Sequence, residues 1–216
     1  MTRLLLSLSL LLSLMVPAAH AEGPVLVELF SSQNCRACPK AHRTLKAVDA
    51  ERDDLLVLTW SVDYWDYLGD KDPMAMVESK DRQRGYADRF GLRGPYTPQT
   101  VYNGVEQCAG SKRTYVERAL ERLKETPEPD VSLEREGDRI RLSGRMPDLA
   151  DIWLVDYLAG EANTTDMVHP VTRVTALGPW LGNDVELAVP HCESGCAIIV
   201  QEAGFGPVLD TMVITP

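Results

Sequence analysis

The sequence predicts an α/β domain, a mixed sheet flanked by helices, over about 22–126, followed by a small antiparallel all-β, sandwich-like domain over about 130–216. Three observations predict it. Short apolar runs alternate with helix-patterned stretches as far as residue 126. Pro127 and Pro129 in "TPEPD" then interrupt the chain like a linker. Beyond them the apolar period becomes two, in about seven short runs set off by Gly, Pro, Asn and Asp, the pattern of an antiparallel sandwich.

Ahead of the first domain, "MTR" and the apolar stretch Leu4 to Met15 are followed by Pro17 and by Ala19-His20-Ala21, a small-x-small cleavage pattern. The stretch is short for a membrane span. Residues 1–21 read as a secretory signal peptide with Glu22 as the mature start, which places the chain where disulfides persist. The first strand is "VLVELF" (Val25 to Phe30), apolar and β-branched. "CPKAHRTLKAVDA" follows as a helix, with Pro39 in its first turn and Ala41, Leu45 and Val48 on one stripe. "LLVLTWSV" (Leu55 to Val62) is a second buried strand. A loop dense in Asp and aromatics leads to a helix from Asp72-Pro73 to about Phe90, polar on most faces and so expected at the surface. Asn103-Gly104 marks a two-residue hairpin, because both positions tolerate positive φ. "SKRTYVERALERLKE" is an amphipathic helix. In the second half, "VSLEREGDRIRLSG" is a hairpin around Gly137-Asp138, and "DIWLVDYL", "VTRVTAL", "DVELAV", "CAIIVQE" and "PVLDTMVI" are further strands.

Charge narrows the function. The chain carries 22 Lys and Arg against 32 Asp and Glu, a net −10. That balance disfavours nucleic acid, whose binding rests on cationic contacts to phosphate, and an anionic membrane surface. Partners are therefore expected among proteins, with no nucleic acid and, after signal cleavage, no membrane.

The five cysteines (35, 38, 108, 192, 196) leave at least one outside any internal pairing. Cys35 and Cys38 in "SSQNCRACPK" lie between a strand and a helix. A redox dithiol needs a thiolate near neutral pH, and a helix N-terminus supplies free amides and a favourable dipole. Cys35 is thus the expected nucleophile, exposed at the helix start beside Arg36. Cys38, one turn deeper, is expected to resolve a mixed disulfide.

These residues carry a resemblance. "VLVELFSSQNCRACPK" resembles the strand-loop-helix of thioredoxins, Thr97-Pro98 their cis-proline element, and "VYNGVEQCAGSKRTYVERALERL" their hairpin and final helix. The resemblance implies a thioredoxin-like fold over about 24–126 and a substrate-binding role for Thr97 and Pro98. It also implies a proton relay at Glu28, near the position of a buried acid in thioredoxins but one residue further from the first cysteine. The segment between Cys38 and Pro98 is longer than in thioredoxins, a helical insertion at about 64–91. Over nearly the whole mature chain, "SVDYWDYLGDKDP", "RQRGYADRFGLRGPYTPQTVYNG", "GPWLG" and "VQEAGFGPVL" make the sequence similar to the secreted bacterial family called domain of unknown function 1223.

Cys192 and Cys196, beside His191, are expected to form a structural disulfide closing a turn; a metal site is the sharper alternative. Cys108 is expected to fill apolar space in the sheet. Asp63 stands where it could approach the cysteines, Tyr64, Trp65 and Tyr67 are expected to pack the insertion, and His42 is expected on the helix surface. The whole reads as a secreted, periplasmic thiol-disulfide oxidoreductase acting on protein thiols and disulfides with an unidentified redox partner. It requires no small-molecule cofactor and no metal. The alternatives are a copper- or zinc-binding thioredoxin-like protein and a non-catalytic secreted binding protein.

Overall fold

The computed structural model describes residues 23–145 and 148–215; the expected signal peptide, 1–21, lies outside them. Strands β1 (Val25–Ser31) and β2 (Leu55–Ser61) run parallel, and the helix α1 (Cys38–Asp49) makes the crossover between them. Nearly every residue of both strands is buried, as continuous apolar runs demand when both faces of a sheet are covered. After a loop, α2 (Val77–Arg89) leads to the hairpin of β3 (Gln99–Tyr102) and β4 (Glu106–Cys108), then α3 (Arg113–Leu123). The sheet order is β2-β1-β3-β4, with β3 antiparallel to β1. Asn103 and Gly104 have φ of 44° and 68°, the doubly left-handed turn that suits a tight hairpin. Gly104 is also needed for space, since a Cβ there would overlap the carbonyl oxygen of Gly206.

One face of this sheet is apolar and helical: Val27, Leu29 and Val57 pack with Ala41, Leu45 and Val48 of α1 and Val116, Ala119 and Leu120 of α3. The other face corrects the expected fold class. Strands β5 (Val131–Glu136), β6 (Arg139–Gly144), β7 (Ala150–Tyr157), β8 (Val171–Trp180), β9 (Val185–Ala188), β10 (Gly195–Glu202) and β11 (Val208–Ile214) form two sheets, β11-β10-β7-β8 and β5-β6-β9. Val155, Tyr157, Ala197, Ile199 and Val208 of the four-stranded one pack directly on Leu26, Phe30, Leu58 and Trp60 of the first sheet. Its opposite side packs on the three-stranded sheet through Ile152, Ile198 and Val200 against Leu133, Ile140 and Leu142. The described chain is mostly β, 38% strand against 22% helix in three sheets, and is not a helix-flanked thioredoxin-like α/β fold followed by a small all-β domain. Sheet-on-sheet packing replaces the helical layer because β10 offers apolar side chains on both faces, where a sandwich strand facing solvent would alternate with polar ones.

Helix α2 is the second surprise. It begins at Val77 rather than Asp72, and despite its polar sequence it buries Ser79, Arg82, Gln83 and Tyr86. Burial of Arg82 is offset by an ion pair: its Nε and Nη2 donate to the two oxygens of Glu28 on β1, and Nη2 also reaches the Tyr86 hydroxyl (3.1 Å) and Gln201 Oε1 on β10 (2.9 Å). Tyr86 donates its hydroxyl to Glu28, and the guanidinium lies 5.0 Å from the Trp60 ring centre. Burial alone works against the Arg82 charge, but Glu28 and Tyr86 outweigh it and hold its pKa above the ordinary value. Gly85 lets the Phe205 ring lie against the helix, where a Cβ would overlap it. Glu28, α2 and β10 are thereby tied into one buried polar cluster.

Candidate functional site

Cys35 and Cys38 are at disulfide distance (S–S 2.20 Å, Cα–Cα 5.4 Å) in the turn that leaves β1. The turn is closed by Cys35 N–H to Ser32 O and Cys38 N–H to Cys35 O, both 3.1 Å. Helix α1 starts at Cys38, with Ala37 at the cap and Pro39 in the first turn. Ala37 offers no side-chain cap, the Cys38 N–H is spent on Cys35 O and Pro39 has none, so it is the dipole of α1 that favours negative charge nearby. Cys35 therefore lies just ahead of the helix rather than on it. In the disulfide form it is 6% exposed and Cys38 1%, so the exposed sulfur expected at Cys35 is largely covered. Arg36 and Lys40 are exposed beside the pair.

Three segments meet at this end of the first sheet. Parallel pairing sets Ser31 opposite Ser61, so the loop after β2 emerges beside the cysteine turn, and Val62 N–H donates to Ser31 O (2.9 Å). Antiparallel pairing sets Phe30 opposite Gln99, so Thr97 and Pro98, joined by a cis peptide, come alongside the residues leading from β1 to Cys35. The loop after β2 is laced to both neighbours. Gln33 N–H donates to Asp72 Oδ2 (2.8 Å), the Gln33 side chain to the carbonyls of Asp70 (3.0 Å) and Lys71 (2.8 Å), and the Asn34 side chain to the Asp70 carbonyl (2.8 Å). On the other side Trp65 Nε1 donates to Thr97 Oγ1 at 2.7 Å. Buried Gln83 donates to Tyr96 O (2.7 Å) and Gln99 Oε1 (3.0 Å) and accepts from the Tyr64 hydroxyl (3.2 Å). The sequence reading did not single out Gln33, Asn34 or Gln83. Only the position of Gln33 and Asn34 just before the first cysteine could have drawn attention to them.

The remaining candidates fall as follows. Glu28 is buried, and both its oxygens accept from Arg82 or Tyr86; among the described residues none of its hydrogen bonds reaches a cysteine. Asp63 pairs with Lys80 (2.8 Å). His42 is not a surface residue: its Nε2 meets Ser31 Oγ at 2.8 Å, and its Nδ1 is enclosed without a hydrogen-bond partner among the described residues. Burial first, then Lys46, lowers its pKa to about 4, with Asp166 opposing. Cys108 is half-buried and free, 3.4 Å from the Tyr102 hydroxyl. Cys192 and Cys196 are also at disulfide distance (S–S 1.96 Å), both enclosed in the apolar cluster of the three-stranded sheet. No group of three or more His, Cys, Asp or Glu side chains among the described residues is placed to hold a metal ion.

Fold and site together define a mostly-β protein with two redox-capable cysteine pairs, one of them at the loop end of a sheet. The chain belongs to the family described as protein of unknown function DUF1223, whose model matches residues 26–201. No curated protein matches it. Among solved structures it is similar to protein AGR_C_4864 from Agrobacterium tumefaciens, with 27% identity and a TM-score of 0.74 over 91% of this chain and 96% of that one. HBP35 of Porphyromonas gingivalis shares the fold alone, at 10% identity and a TM-score of 0.57 over 91% of this chain and 76% of that one.

Proposed function

We propose that this chain is a secreted, periplasmic thiol-disulfide oxidoreductase acting on protein thiols and disulfides through Cys35 and Cys38. The observation that carries the reading is the meeting of this pair with Thr97-Pro98 and the loop after β2, at the one sheet end where β1, β2 and β3 bring their loops together. In the oxidising direction a partner thiolate attacks Cys35 Sγ. The Cys35–Cys38 bond breaks, the electron pair leaves on Cys38, and Cys38 takes up a proton. A second partner thiolate then attacks the partner's own sulfur in the mixed disulfide, forming the partner's disulfide and releasing Cys35 as thiolate. The reducing direction reverses these steps, and the relative potentials of chain and partner select between them. The dipole at the start of α1, with Arg36 and Lys40, favours the Cys35 thiolate. Thr97-Pro98 lines the approach. Glu28 is assigned here to the buried ion pair, since taking a proton from Cys38 would require it to release Arg82 or Tyr86. Cys192–Cys196 is assigned a structural role.

The test is trapping. Cys38→Ser should collect partner proteins as mixed disulfides on a non-reducing gel, while Cys35→Ser collects none, because only Cys38 offers the adduct an internal escape. In parallel, the alkylation rate of reduced Cys35 should titrate below the free-thiol value of about 8.5. Failure of Cys38→Ser to collect partners, together with a midpoint at or above that value, would sink the proposal.

A further inference from the structure

We propose that Tyr67 and Leu68, with Trp65 behind them, form a docking ledge for the polypeptide around a partner's cysteine: an extended segment that is neutral or basic and carries an aliphatic or aromatic residue close to the reacting sulfur. The inference rests on the exchange reading and names its substrate class. Tyr67 is 76% exposed and Leu68 56%, adjacent in a chain that buries most of its large apolar side chains. Neighbouring apolar groups held in solvent within a polar rim mark interaction sites more often than they mark chance.

The ledge is fixed rather than loose. A 3-10 turn spans Asp66–Leu68, and the Tyr67 ring packs on Trp65 with centroids 6.1 Å apart. Gly69, the next residue, closes against Asn34, whose Oδ1 fills the space a Cβ would take. Asn34 immediately precedes Cys35, and Trp65 bonds to Thr97, which immediately precedes Pro98. The ledge thus runs from the residue before the reacting cysteine to the residue before the proline. Any chain whose sulfur sits on Cys35 lays its flanking residues along it.

Charge selects the occupant. Asp66 and Asp70 edge the ledge, exposed Lys71 offsets one of them, Arg36 and Lys40 lie on the cysteine side, and the protein as a whole carries a net −10. A second copy docked by the same face would bring these carboxylates together, which opposes self-association there. Glutathione is polar and anionic and has no aliphatic or aromatic side chain to lay on Tyr67 and Leu68. A basic or neutral apolar segment gains on both counts.

The experiment compares three thiols on the mature oxidised protein: glutathione, a peptide with Leu and Phe flanking a single Cys and one Lys nearby, and the same peptide with Ser for Leu and Phe. The readout is the rate of opening Cys35–Cys38, corrected for thiolate concentration. The apolar peptide is expected to react at least about tenfold faster than the other two. In Tyr67→Ser/Leu68→Ser the ratio of apolar to polar peptide should fall close to one, while Leu181→Ser, which removes an exposed leucine of the β8–β9 connection, keeps the wild-type ratio. Equal rates for the two peptides on the wild-type protein, or a ratio unmoved by the double substitution, overturns the ledge and leaves the exchange reading standing. A pair that none of the three thiols opens overturns both.

Discussion

Cys35–Cys38 and Cys192–Cys196 are the same bond in two settings. Both close a few residues, and both are almost fully enclosed. Exposure therefore does not separate them; surroundings do. Cys192 and Cys196 sit among Leu133, Ile140, Leu142, Ile198 and Ile214. A thiolate formed there would lack solvation, and an incoming sulfur would have to displace packed side chains. Cys35 and Cys38 belong to none of the three apolar clusters. Their neighbours along the chain and across the loops are Gln33, Asn34 and Arg36, the uncapped start of α1 and the Thr97-Pro98 turn. A covered sulfur in a polar, hydrogen-bonded turn can be reached by a small loop adjustment, whereas one inside a core requires the core to open.

The largest expected effect tests whether the two settings are mechanically one. Glu28, Arg82 and Gln201 join the sheet behind the first pair to β10, which carries Cys196. Arg82→Ala leaves Glu28 buried without its partner and should cost about 3–5 kcal/mol in a denaturant titration, with both regions losing structure in one transition. Glu28→Gln/Arg82→Met should recover much of that loss. A cost under about 1 kcal/mol would break the link between the regions.

Next in size are the cysteines themselves. Cys192→Ala/Cys196→Ala should cost about 2–4 kcal/mol. The loop-closure term is nearly equal for the two pairs, so the excess over Cys35→Ala/Cys38→Ala isolates the apolar packing, about 1–2 kcal/mol. Equal losses would mean that the core adds nothing around the second pair.

His42 sharpens the contrast through pH. The unfolded chain takes up a proton near the ordinary pKa of 6.5, but the folded chain resists until about 4. Acid therefore favours the unfolded state: stability is full above 6.5 and falls as pH drops toward about 4. Between pH 6.5 and 4.5 the expected loss from this group is about 2 kcal/mol, and His42→Gln should flatten that part of the curve. A variant that keeps the wild-type slope would reassign it elsewhere. Smallest of all, Leu68→Ser should change stability by no more than about 0.5 kcal/mol, since the side chain packs little. A larger loss would make Leu68 part of the framework instead of a free ledge.

What could be read from the sequence was local. Asn103-Gly104 announces its turn through backbone freedom alone, and the cysteine pair announces itself through spacing after a strand. The strands and helices likewise lie close to their expected positions because each follows from its own periodicity. The layering did not follow, since "CAIIV" reads equally well as one side of a sandwich or as a strand buried on both sides. Helix α2 was misplaced because its burying face is polar, and Arg82 is tolerable there only through Glu28, 54 residues away. The lacing of Asn34 to Asp70 and of Trp65 to Thr97 joins residues more than thirty apart. No pattern within a single segment encodes it. His42 looked like a surface residue because helix period places it beside, not on, the apolar stripe; its bond to Ser31, eleven residues earlier on β1, holds it inward.

The central sheet also has a consequence for the order in which this chain can be made. Leu26, Phe30, Leu58 and Trp60 emerge from a ribosome or a translocation pore long before Ala197, Ile199 and Val208, which make much of their cover. Until then the first sheet presents an apolar face covered only in part, by Tyr86 of α2 and by Val155 and Tyr157 of β7. Such an intermediate sticks to its like or to a chaperone. A fragment ending near residue 126 should accordingly be sticky and poorly soluble by itself, and slowing synthesis between residue 126 and residue 195 should raise the demand for chaperones.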